Sequence, residues 1–197
     1  MPTTGAAAVN TPLRILGIAG SLRANSYNRL TLRAAQKLAP ADAVIETADI
    51  CGLPGFNEDD EQTPPPKVVE LKRQILAADA ILFALPEYNY SMPGVLKNAI
   101  DWASRPYGKS AWTGKPAAIL GASTSKLGAA RAQYHLRQSF VFLKMPSVLY
   151  PEVMIAEARN QFDADGQLTN ETAKQLIREL LQNLVTLART LPARAPG

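Results

Sequence analysis

The sequence RILGIAGSLRANSYNRL (residues 14–30) decides the fold of this chain. Its beginning is apolar and rich in residues that favour a buried strand. A polar loop, residues 20–26, follows. Leu30, Ala34 and Leu38 then recur every four residues, which predicts a helix with one apolar face. A strand, a loop rich in hydrogen-bond donors and a helix N-terminus, in that order, are typical of an anion-binding site.

Outward from this stretch, apolar segments that favour strands alternate with segments of helical periodicity. Such alternation predicts βαβ units around a parallel sheet. The segment ILFAL (residues 81–85) is apolar throughout, as expected of a strand buried on both faces. We expect strands at residues 15–19, 43–48, 80–85, 117–121 and within 147–155, and helices at residues 25–38, 67–77, 92–104, 127–143 and 170–191. About five strands favour an α/β fold, a flavodoxin-like three-layer sandwich with a parallel sheet of strand order 2-1-3-4-5.

The length of 197 residues favours one domain. We expect that domain at residues 14–191, with a disordered leader at 1–13 and a frayed tail at 192–197. No apolar run approaches the roughly 20 residues that span a bilayer, and the leader lacks the basic and apolar regions of a signal peptide. The sequence therefore predicts a cytoplasmic protein without a membrane partner.

Composition excludes several kinds of site. Cys51 is the only cysteine, which excludes an internal disulfide and a cysteine-built zinc or iron–sulfur site within one chain. We expect Cys51 to be a small buried side chain. The net charge of +4 is spread along the chain, so no nucleic-acid partner is expected. The acidic run at residues 58–61 favours a solvated loop over a metal site, and His135, without a G-x-S-x-G motif, favours a structural role over a hydrolase.

The loop at residues 20–28 differs from the common phosphate-binding loops. The P-loop pattern G-x-x-x-x-G-K-[ST] is missing, and Gly17 and Gly20 do not have the spacing of the dinucleotide fingerprint G-x-G-x-x-G. A terminal phosphate is close to dianionic and presents three free oxygens, so it can use many side-chain donors at once. The alternative is that Asn25 or Ser26 only caps the helix and that the other donors are solvated. The donors that this loop offers are Ser21, Arg23, Asn25, Ser26 and Asn28.

A second loop, PEYNYSMPG (residues 86–94), follows the predicted third strand. It places Glu87, Tyr88, Asn89 and Tyr90 at the carboxyl end of that strand, where ligands bind in open α/β sheets. A flat heteroaromatic ring needs backbone groups for its polar edge and planar side chains for its face. The alternative is that both tyrosines are surface or interface aromatics. A phosphate at the first loop and a ring at the second together suggest flavin mononucleotide, FMN.

Three motifs resemble the NAD(P)H-dependent FMN reductase family, in the branch that includes bacterial quinone and chromate reductases. They are GSLRxxSxN (residues 20–28), PEYNYSxPGxLKNAIDW (residues 86–102) and GAARxQYHLR (residues 128–137). The resemblance extends over about residues 14–191. It implies bound FMN, with NADPH or NADH as co-substrate. It also implies ping-pong two-electron reduction of a small-molecule acceptor, which could be a quinone, chromate, an azo compound or free flavin.

The resemblance also implies roles for residues at the matching positions. No catalytic side chain and no metal is implied, because hydride transfer to a flavin is the chemistry of the cofactor. The third predicted loop, residues 122–128, would cover the far edge of the flavin ring, and Lys126 within it has no assigned role. The cofactor would contact Ser21, Arg23, Ser26, Tyr27 (through its backbone) and Asn28 at the phosphate, and Pro86, Glu87, Tyr88, Asn89, Ser123 and Gly128 at the ring.

A further group of residues belongs to the site or to a subunit interface in the resembling family. Arg131 and Tyr134 are candidates of second rank on the helix of residues 127–143. Glu152 is expected to pair with them across chains. The family resemblance implies a homodimer or a homotetramer.

Two other functions remain open at this stage. The chain could be a flavodoxin-type electron carrier, which has no substrate turnover of its own, although its basic charge argues against the acidic surface usual for such carriers. It could also be a structural or regulatory protein that uses the same fold with an empty site. Steady oxidation of NAD(P)H would exclude the carrier, and a colourless protein that does not bind FMN would favour the regulatory protein.

Overall fold

The computed structural model of the protein describes residues 11–192. Residues 1–10 of the expected leader and residues 193–197 of the expected tail lie outside the described residues. Five parallel strands form one sheet in the order β2-β1-β3-β4-β5, which confirms the predicted topology. They are β1 (Leu13–Ala19), β2 (Ala43–Ala48), β3 (Ala80–Leu85), β4 (Ala117–Ala122) and β5 (Val153–Ile155).

Helices connect the strands, because a parallel pair needs a crossover rather than a hairpin. Short 3₁₀ helices lie at Glu58–Asp60 and Ala158–Asn160. Among the described residues, no helix is both long and apolar enough to cross a membrane. The α-helices are α1 (Tyr27–Lys37), α2 (Pro66–Ala77), α3 (Gly94–Ala103), α4 (Ala130–Leu143) and α5 (Glu171–Thr190).

Two hydrophobic cores lie on opposite faces of the sheet. Ile81, Phe83 and Leu85 of β3 join the core that contains the buried residues of α2, α3 and α4. Leu82 and Ala84 of the same strand join the core that contains those of α1 and α5. Successive side chains of a strand point to opposite faces, so a strand covered on both sides must be apolar at every position. This explains the uninterrupted apolar run in the sequence.

Three helices, α1, α3 and α4, begin two or three residues later than the periodicity of the sequence indicates. At α1, Ser26 is extended (φ −73°, ψ 131°) and its Oγ accepts a hydrogen bond from the Asn28 N–H, so Ser26 is the N-cap. At α4, Gly128 and Ala129 have φ of +55° and +69°. A left-handed pair cannot continue a right-handed helix, so α4 begins at Ala130.

The fifth strand is short because two prolines, Pro146 and Pro151, lie in the segment before it. Ser147 forms a single bridge to Ala117 at the start of β4, and the chain then leaves the sheet. Pro151 has no N–H for the ladder, so pairing resumes only at Val153.

Cys51 is exposed, so the prediction of a buried cysteine was wrong. It lies in the turn just after β2, an edge strand of the sheet, and its N–H donates to Asp49 Oδ1 at 3.0 Å. Lys67 of α2 donates to the Cys51 carbonyl oxygen, so the helix contacts the backbone of this turn and leaves the cysteine side chain exposed. Position at the sheet edge, which the identity of the residue does not reveal, decides its exposure.

Candidate functional site

Three loops meet at the carboxyl edge of the sheet, after β1, β3 and β4. These strands are consecutive in the sheet, so their ends lie side by side. The Gly20 N–H donates to Ala84 O at 2.8 Å. A Cβ added at Gly20 would lie 3.1 Å from Leu85 Cβ, so the first two loops pack closely. The structure thus brings together the three loops that the sequence singled out.

The first loop, residues 20–26, presents hydrogen-bond donors that have no acceptor. The hydroxyls of Ser21 and Ser26, each 3% exposed, donate to no group in the described part of the chain. They lie beside the N-terminus of α1, where the helix dipole favours an anion. This donor set fits a terminal phosphate. Within residues 11–192, the nearby backbone N–H groups that likewise lack an acceptor include those of Leu22, Arg23, Tyr27 and Arg29.

Arg23 and Tyr27 are arranged differently from the two serines. One Arg23 nitrogen, Nη2, donates to Asn25 O at 3.2 Å, and the side chain is otherwise exposed. The Tyr27 ring packs on Phe162, with 5.5 Å between centroids. Tyr27 therefore offers the loop its backbone N–H rather than its hydroxyl, in line with the role that the family resemblance implies.

Asn28 joins the first loop to the end of β4. Its Nδ2 donates to Ala122 O and its Oδ1 accepts from the Ala122 N–H, both at 2.9 Å. The residue is only 2% exposed. The amide that the sequence suggested as a phosphate donor is therefore already paired with backbone. Its partner is 94 residues away in the sequence, so no local pattern could reveal it.

The second loop contains a two-residue turn. Tyr88 and Ser91 exchange two backbone hydrogen bonds of 3.0 Å, and Asn89 and Tyr90 between them have φ of +49° and +68°. This is the geometry of a type I′ turn, which Asn suits but Tyr does not. A left-handed tyrosine costs about 1–3 kcal/mol and persists only where its surroundings hold it.

Helix α4 holds this turn in place. The Glu87 carboxylate, 7% exposed, accepts from the Arg131 N–H at 3.1 Å and pairs with the Arg131 guanidinium. That guanidinium stacks 3.5 Å from the centroid of the Tyr90 ring. The hydrogen bond to Glu87 raises the pKa of Arg131 above its usual value. Farther along α4, His135 Nδ1 lies 2.9 Å from Ser91 Oγ.

What the second loop leaves free is mostly backbone and aromatic surface. The N–H groups of Glu87 and Asn89 have no acceptor within the described residues. Tyr88 and Tyr90 are 49% and 67% exposed, whereas Pro86 is buried. Because the Glu87 carboxylate is already paired with Arg131, Glu87 can contact a ring edge through its backbone.

The third loop, residues 123–129, is shaped by its own bonds. Ser123 Oγ accepts from the Ser125 N–H at 3.1 Å. A Cβ added at Gly128 would lie 2.6 Å from the Met154 carbonyl carbon, and Gly128 has φ of +55°. Ser123 and Gly128, both predicted cofactor residues, therefore build the loop, and Lys126 is exposed at its tip.

Tyr134 and Glu152 form a hydrogen bond within one chain. The Tyr134 hydroxyl donates to Glu152 Oε2 at 3.3 Å, and this hydrogen bond raises the pKa of Tyr134. Glu152, which was expected to pair across chains, therefore has a hydrogen-bond partner in its own chain. Glu152 directly precedes β5, and Tyr134 belongs to α4, so the hydrogen bond joins this helix to the start of the strand.

Two residues of the motif at residues 86–102 hold the long loop after β2, a role that the sequence did not predict. Asn98 of α3 accepts from the Phe56 N–H at 2.7 Å and donates to Pro54 O at 2.8 Å. Trp102 Nε1 donates to the same Pro54 oxygen at 2.8 Å. The backbone groups of a long irregular loop need hydrogen-bond partners outside the loop. That requirement was the one indication in the sequence that side chains elsewhere would bind it. Beside this loop, Arg105 lies 3.6 Å from the Glu61 carboxylate in the acidic run.

The chain is similar to known reductases. Over residues 13–160 the chain matches the family model described as NADPH-dependent FMN reductase. An NAD(P)H-dependent FMN reductase of Pseudomonas aeruginosa is 55% identical, over 91% of this chain and 97% of that protein. A 2-hydroxy-1,4-benzoquinone reductase of a Burkholderia species is 40% identical, over 90% of this chain and 97% of its own length.

A solved structure agrees with these sequence relatives. FerB, a flavoenzyme NAD(P)H:(acceptor) oxidoreductase from Paracoccus denitrificans, superposes with a TM-score of 0.83 at 36% identity. The match covers 90% of this chain and 97% of FerB. The strand order, the three loops and these relatives lead to one conclusion: the chain belongs to the NADPH-dependent FMN reductase family.

Proposed function

We propose that this protein is an FMN-dependent oxidoreductase that uses NADPH or NADH to reduce quinones. One observation carries the proposal. The unpaired donors at the start of α1 and the turn of residues 88–91 lie at the ends of neighbouring strands, where one molecule can contact both. The donors suit its phosphate and the turn suits its ring. The relatives' names, which include FMN reductase and quinone reductase, support the same assignment.

The proposed contacts follow the free groups of each loop. Ser21, Ser26, Arg23 and the Tyr27 N–H would hold the phosphate. The unpaired N–H groups after β3 would hold the polar edge of the ring, with Pro86 and Tyr88 beside it. Asn28, Ser123 and Gly128 would act indirectly, by fixing the loops that carry these groups. When bound, FMN accepts a hydride from reduced pyridine nucleotide and supplies two electrons to the acceptor.

The chain's own residues shape the place where substrates arrive. Tyr88 and Tyr90, both exposed, offer planar surface at the mouth of the site. Glu87 is paired with Arg131, so its carboxylate serves to hold the turn rather than to carry protons. Nicotinamide and quinone would share one open pocket in turn, which gives ping-pong turnover.

The purified holoprotein tests this proposal directly. Its visible spectrum should show bound flavin, and NADPH added without oxygen should bleach that absorption. Adding 1,4-benzoquinone should restore the colour at once, and steady-state rates should give parallel double-reciprocal lines. A flavin that NADPH and NADH both fail to bleach would contradict the proposal and favour an electron carrier reduced by another protein.

We also propose a cytoplasmic homodimer or homotetramer. A patch on the surface near the end of α4 supports the oligomer. Four side chains there, each at least 71% exposed, are apolar or aromatic: Val141, Phe142, Leu149 and Tyr150. Exposed apolar clusters of this kind mark association surfaces. The cytoplasmic location rests on the intracellular supply of reduced pyridine nucleotide.

A further inference from the structure

A cleft of about 280 Å³ opens between α1 and the carboxyl end of β2, beside the first loop. Its floor is apolar, because it includes the buried side chains of Leu32, Ala48 and Ile50. Arg29 and Arg33 of α1 stand at its wall. The side chains of these residues are not among the contacts proposed for FMN. The cleft therefore has a base that suits an apolar ring and a wall that suits an anion.

Both arginines have donors to spare. Arg29 is half-buried, and its Nε donates to Ser21 O at 3.1 Å. Its two terminal nitrogens make no hydrogen bond within residues 11–192. The Arg33 side chain is exposed and makes no hydrogen bond or ion pair in that range. Side chains four residues apart share one face of a helix, so the two guanidinium groups can reach the same phosphate.

The opposite wall carries a carboxylate that is already engaged. Asp49 follows β2, and its Oδ1 accepts from the Cys51 N–H at 3.0 Å. Its Oδ2 lies 3.6 Å from Lys67 Nζ. Arginine binds phosphate through paired hydrogen bonds from its planar guanidinium group. Because Lys67 balances Asp49, the charge of the two arginines dominates this cleft.

We infer that the cleft binds the adenosine 2′-phosphate end of NADPH, and that Arg33, with Arg29, makes the protein prefer NADPH over NADH. This inference rests on the proposed function, which supplies the pyridine nucleotide. The cleft adjoins β2, two strands from β3, so roughly 10 Å of sheet separates it from the turn of residues 88–91, at about 4.8 Å per strand. An extended dinucleotide with its nicotinamide at that turn spans this separation.

The test compares the two nucleotides in the Arg33→Ala holoenzyme, with 1,4-benzoquinone as acceptor. The Arg33 side chain is exposed and makes no hydrogen bond or ion pair in the described residues, so Arg33→Ala should leave the fold intact. The kcat/KM for NADPH should fall about 10-fold to 100-fold, mainly through KM, as expected for a lost hydrogen bond to a charged group. The kcat/KM for NADH should stay within about twofold. Arg178→Ala, which removes an exposed arginine of α5 outside the cleft, is the matched control and should change neither value.

A binding measurement keeps the inference separate from the activity. Adenosine 2′,5′-bisphosphate should bind the wild-type holoprotein more tightly than 5′-AMP in calorimetry, and Arg33→Ala should abolish that difference. An unchanged NADPH-to-NADH ratio in the variant, or equal affinities of the wild type for the two probes, would overturn the inference. Loss of FMN from Arg33→Ala would also overturn it, by assigning Arg33 to the cofactor. Failure of the wild type to oxidise either nucleotide would contradict the proposed function instead, and calorimetry would still decide the cleft.

Discussion

At the residue scale, Ser26 has two roles that substitutions can separate. Its Oγ caps α1 through the Asn28 N–H, and in the proposed function its hydroxyl also donates to the phosphate. Aspartate is as good an N-cap as serine, but its carboxylate repels a phosphate. Alanine removes both roles. One position therefore reports on helix stability and on cofactor binding independently.

Arg23→Ala combined with Ser26→Ala should empty the protein of FMN. Each lost hydrogen bond to a charged group weakens binding by about 1.5–3 kcal/mol, so the pair should raise Kd by about 100-fold to 10⁴-fold. Flavin fluorescence on titration into apoprotein measures this change. A double variant that purifies with full FMN would refute the phosphate assignment.

Ser26→Asp is the control for the folded state. It should lose FMN as well, but unfold in urea within about 0.5 kcal/mol of the wild-type apoprotein, because the cap is kept. Ser26→Ala should lose about 1 kcal/mol of stability. If Ser26→Asp kept FMN, the serine would only be a cap.

Gly128 is predicted to tolerate no side chain. Gly128→Ala should cost about 2–5 kcal/mol in urea unfolding, the sum of overpacking against Met154 and of a left-handed alanine. Gly108 has φ of +81° with nothing within 4 Å of an added Cβ, so Gly108→Ala should cost only the backbone share of about 1–2 kcal/mol. Gly55 has neither constraint, and Gly55→Ala should be neutral or slightly stabilising. Equal effects at all three positions would contradict this reading of Gly128.

Residue roles could be predicted from the sequence where their partners are local. Ser26 caps the helix that follows it, which the sequence offered as one of two alternatives for this residue. Asn28 and Glu87 could not be assigned in this way, because Ala122 and Arg131, their partners, belong to distant segments. A polar residue in a loop signals that it needs a partner, but not whether that partner is a ligand or another part of the chain.

At the element scale, a buried lysine stabilises the end of α2. Lys115 is 7% exposed, and its Nζ donates to Leu76 O at 2.9 Å and to Ala78 O. Carbonyls at a helix C-terminus lack partners within the helix, and a cation there also complements the dipole. Lys115, which lies just before β4, thus stabilises the C-terminus of α2.

Lys115→Met should therefore destabilise the protein while preserving its shape. Buried carbonyls left without a donor cost about 1–3 kcal/mol, which urea unfolding measures. Lys109→Met, at an exposed position, should stay within about 0.5 kcal/mol of wild type. Equal stability of the two variants would show that water replaces the ammonium without cost.

The loop after β2 depends on α3 for its order. Asn98→Ala removes the acceptor of the Phe56 N–H and a donor to Pro54 O. Hydrogen exchange at the Phe56 amide should become at least about tenfold faster, while the FMN content stays unchanged. Asn183→Ala is the control, because it removes a hydrogen bond that Asn183 of α5 donates to Tyr150 O. It should leave the exchange rate of the Phe56 amide unchanged. Unchanged exchange in Asn98→Ala would show that Trp102 alone holds the loop.

The elements themselves were largely predictable because burial and sequence period agree for them. Strand β3 is apolar at every position and covered on both faces, and α1 carries its apolar residues at helical spacing. β5 was harder, since three residues carry too little pattern to set its bounds. The order of the loop after β2 was not predictable, because Asn98 and Trp102 read locally as ordinary positions of an amphipathic helix.

At the scale of the whole molecule, the apolar patch of Val141, Phe142, Leu149 and Tyr150 predicts association. Phe142→Glu should lower the mass measured by light scattering, because an interface would have to bury an unpaired carboxylate. Val69→Glu, at a half-exposed position of α2 outside the patch, is the control and should keep the wild-type mass. Both variants should melt within a few degrees of the wild-type subunit. An oligomer unaffected by Phe142→Glu would place the interface elsewhere.

The topology was the most predictable feature at this scale, and the cleft beside β2 the least. Alternating strands and helices leave few sheet orders, and right-handed crossovers reduce them further. The cleft is lined mainly by α1 and by residues 47–50 at the end of β2, with Ala19 and Ala24 beside them, so its shape depends on the separation between the helix and the edge strand. No sequence pattern encodes that separation, although Arg29 and Arg33 were visible at helical spacing throughout.

The attachment of the loop after β2 has a consequence for how this protein can change. Pro54 and Phe56 are held by side chains of α3, whereas the first and third loops are tied to each other through Asn28 and the second is held by α4. The two sets of attachments share no hydrogen bond. Residues 52–57 can therefore be replaced, in evolution or by grafting the segment of a relative, without changing the hydrogen bonds that hold the three loops of the proposed flavin site.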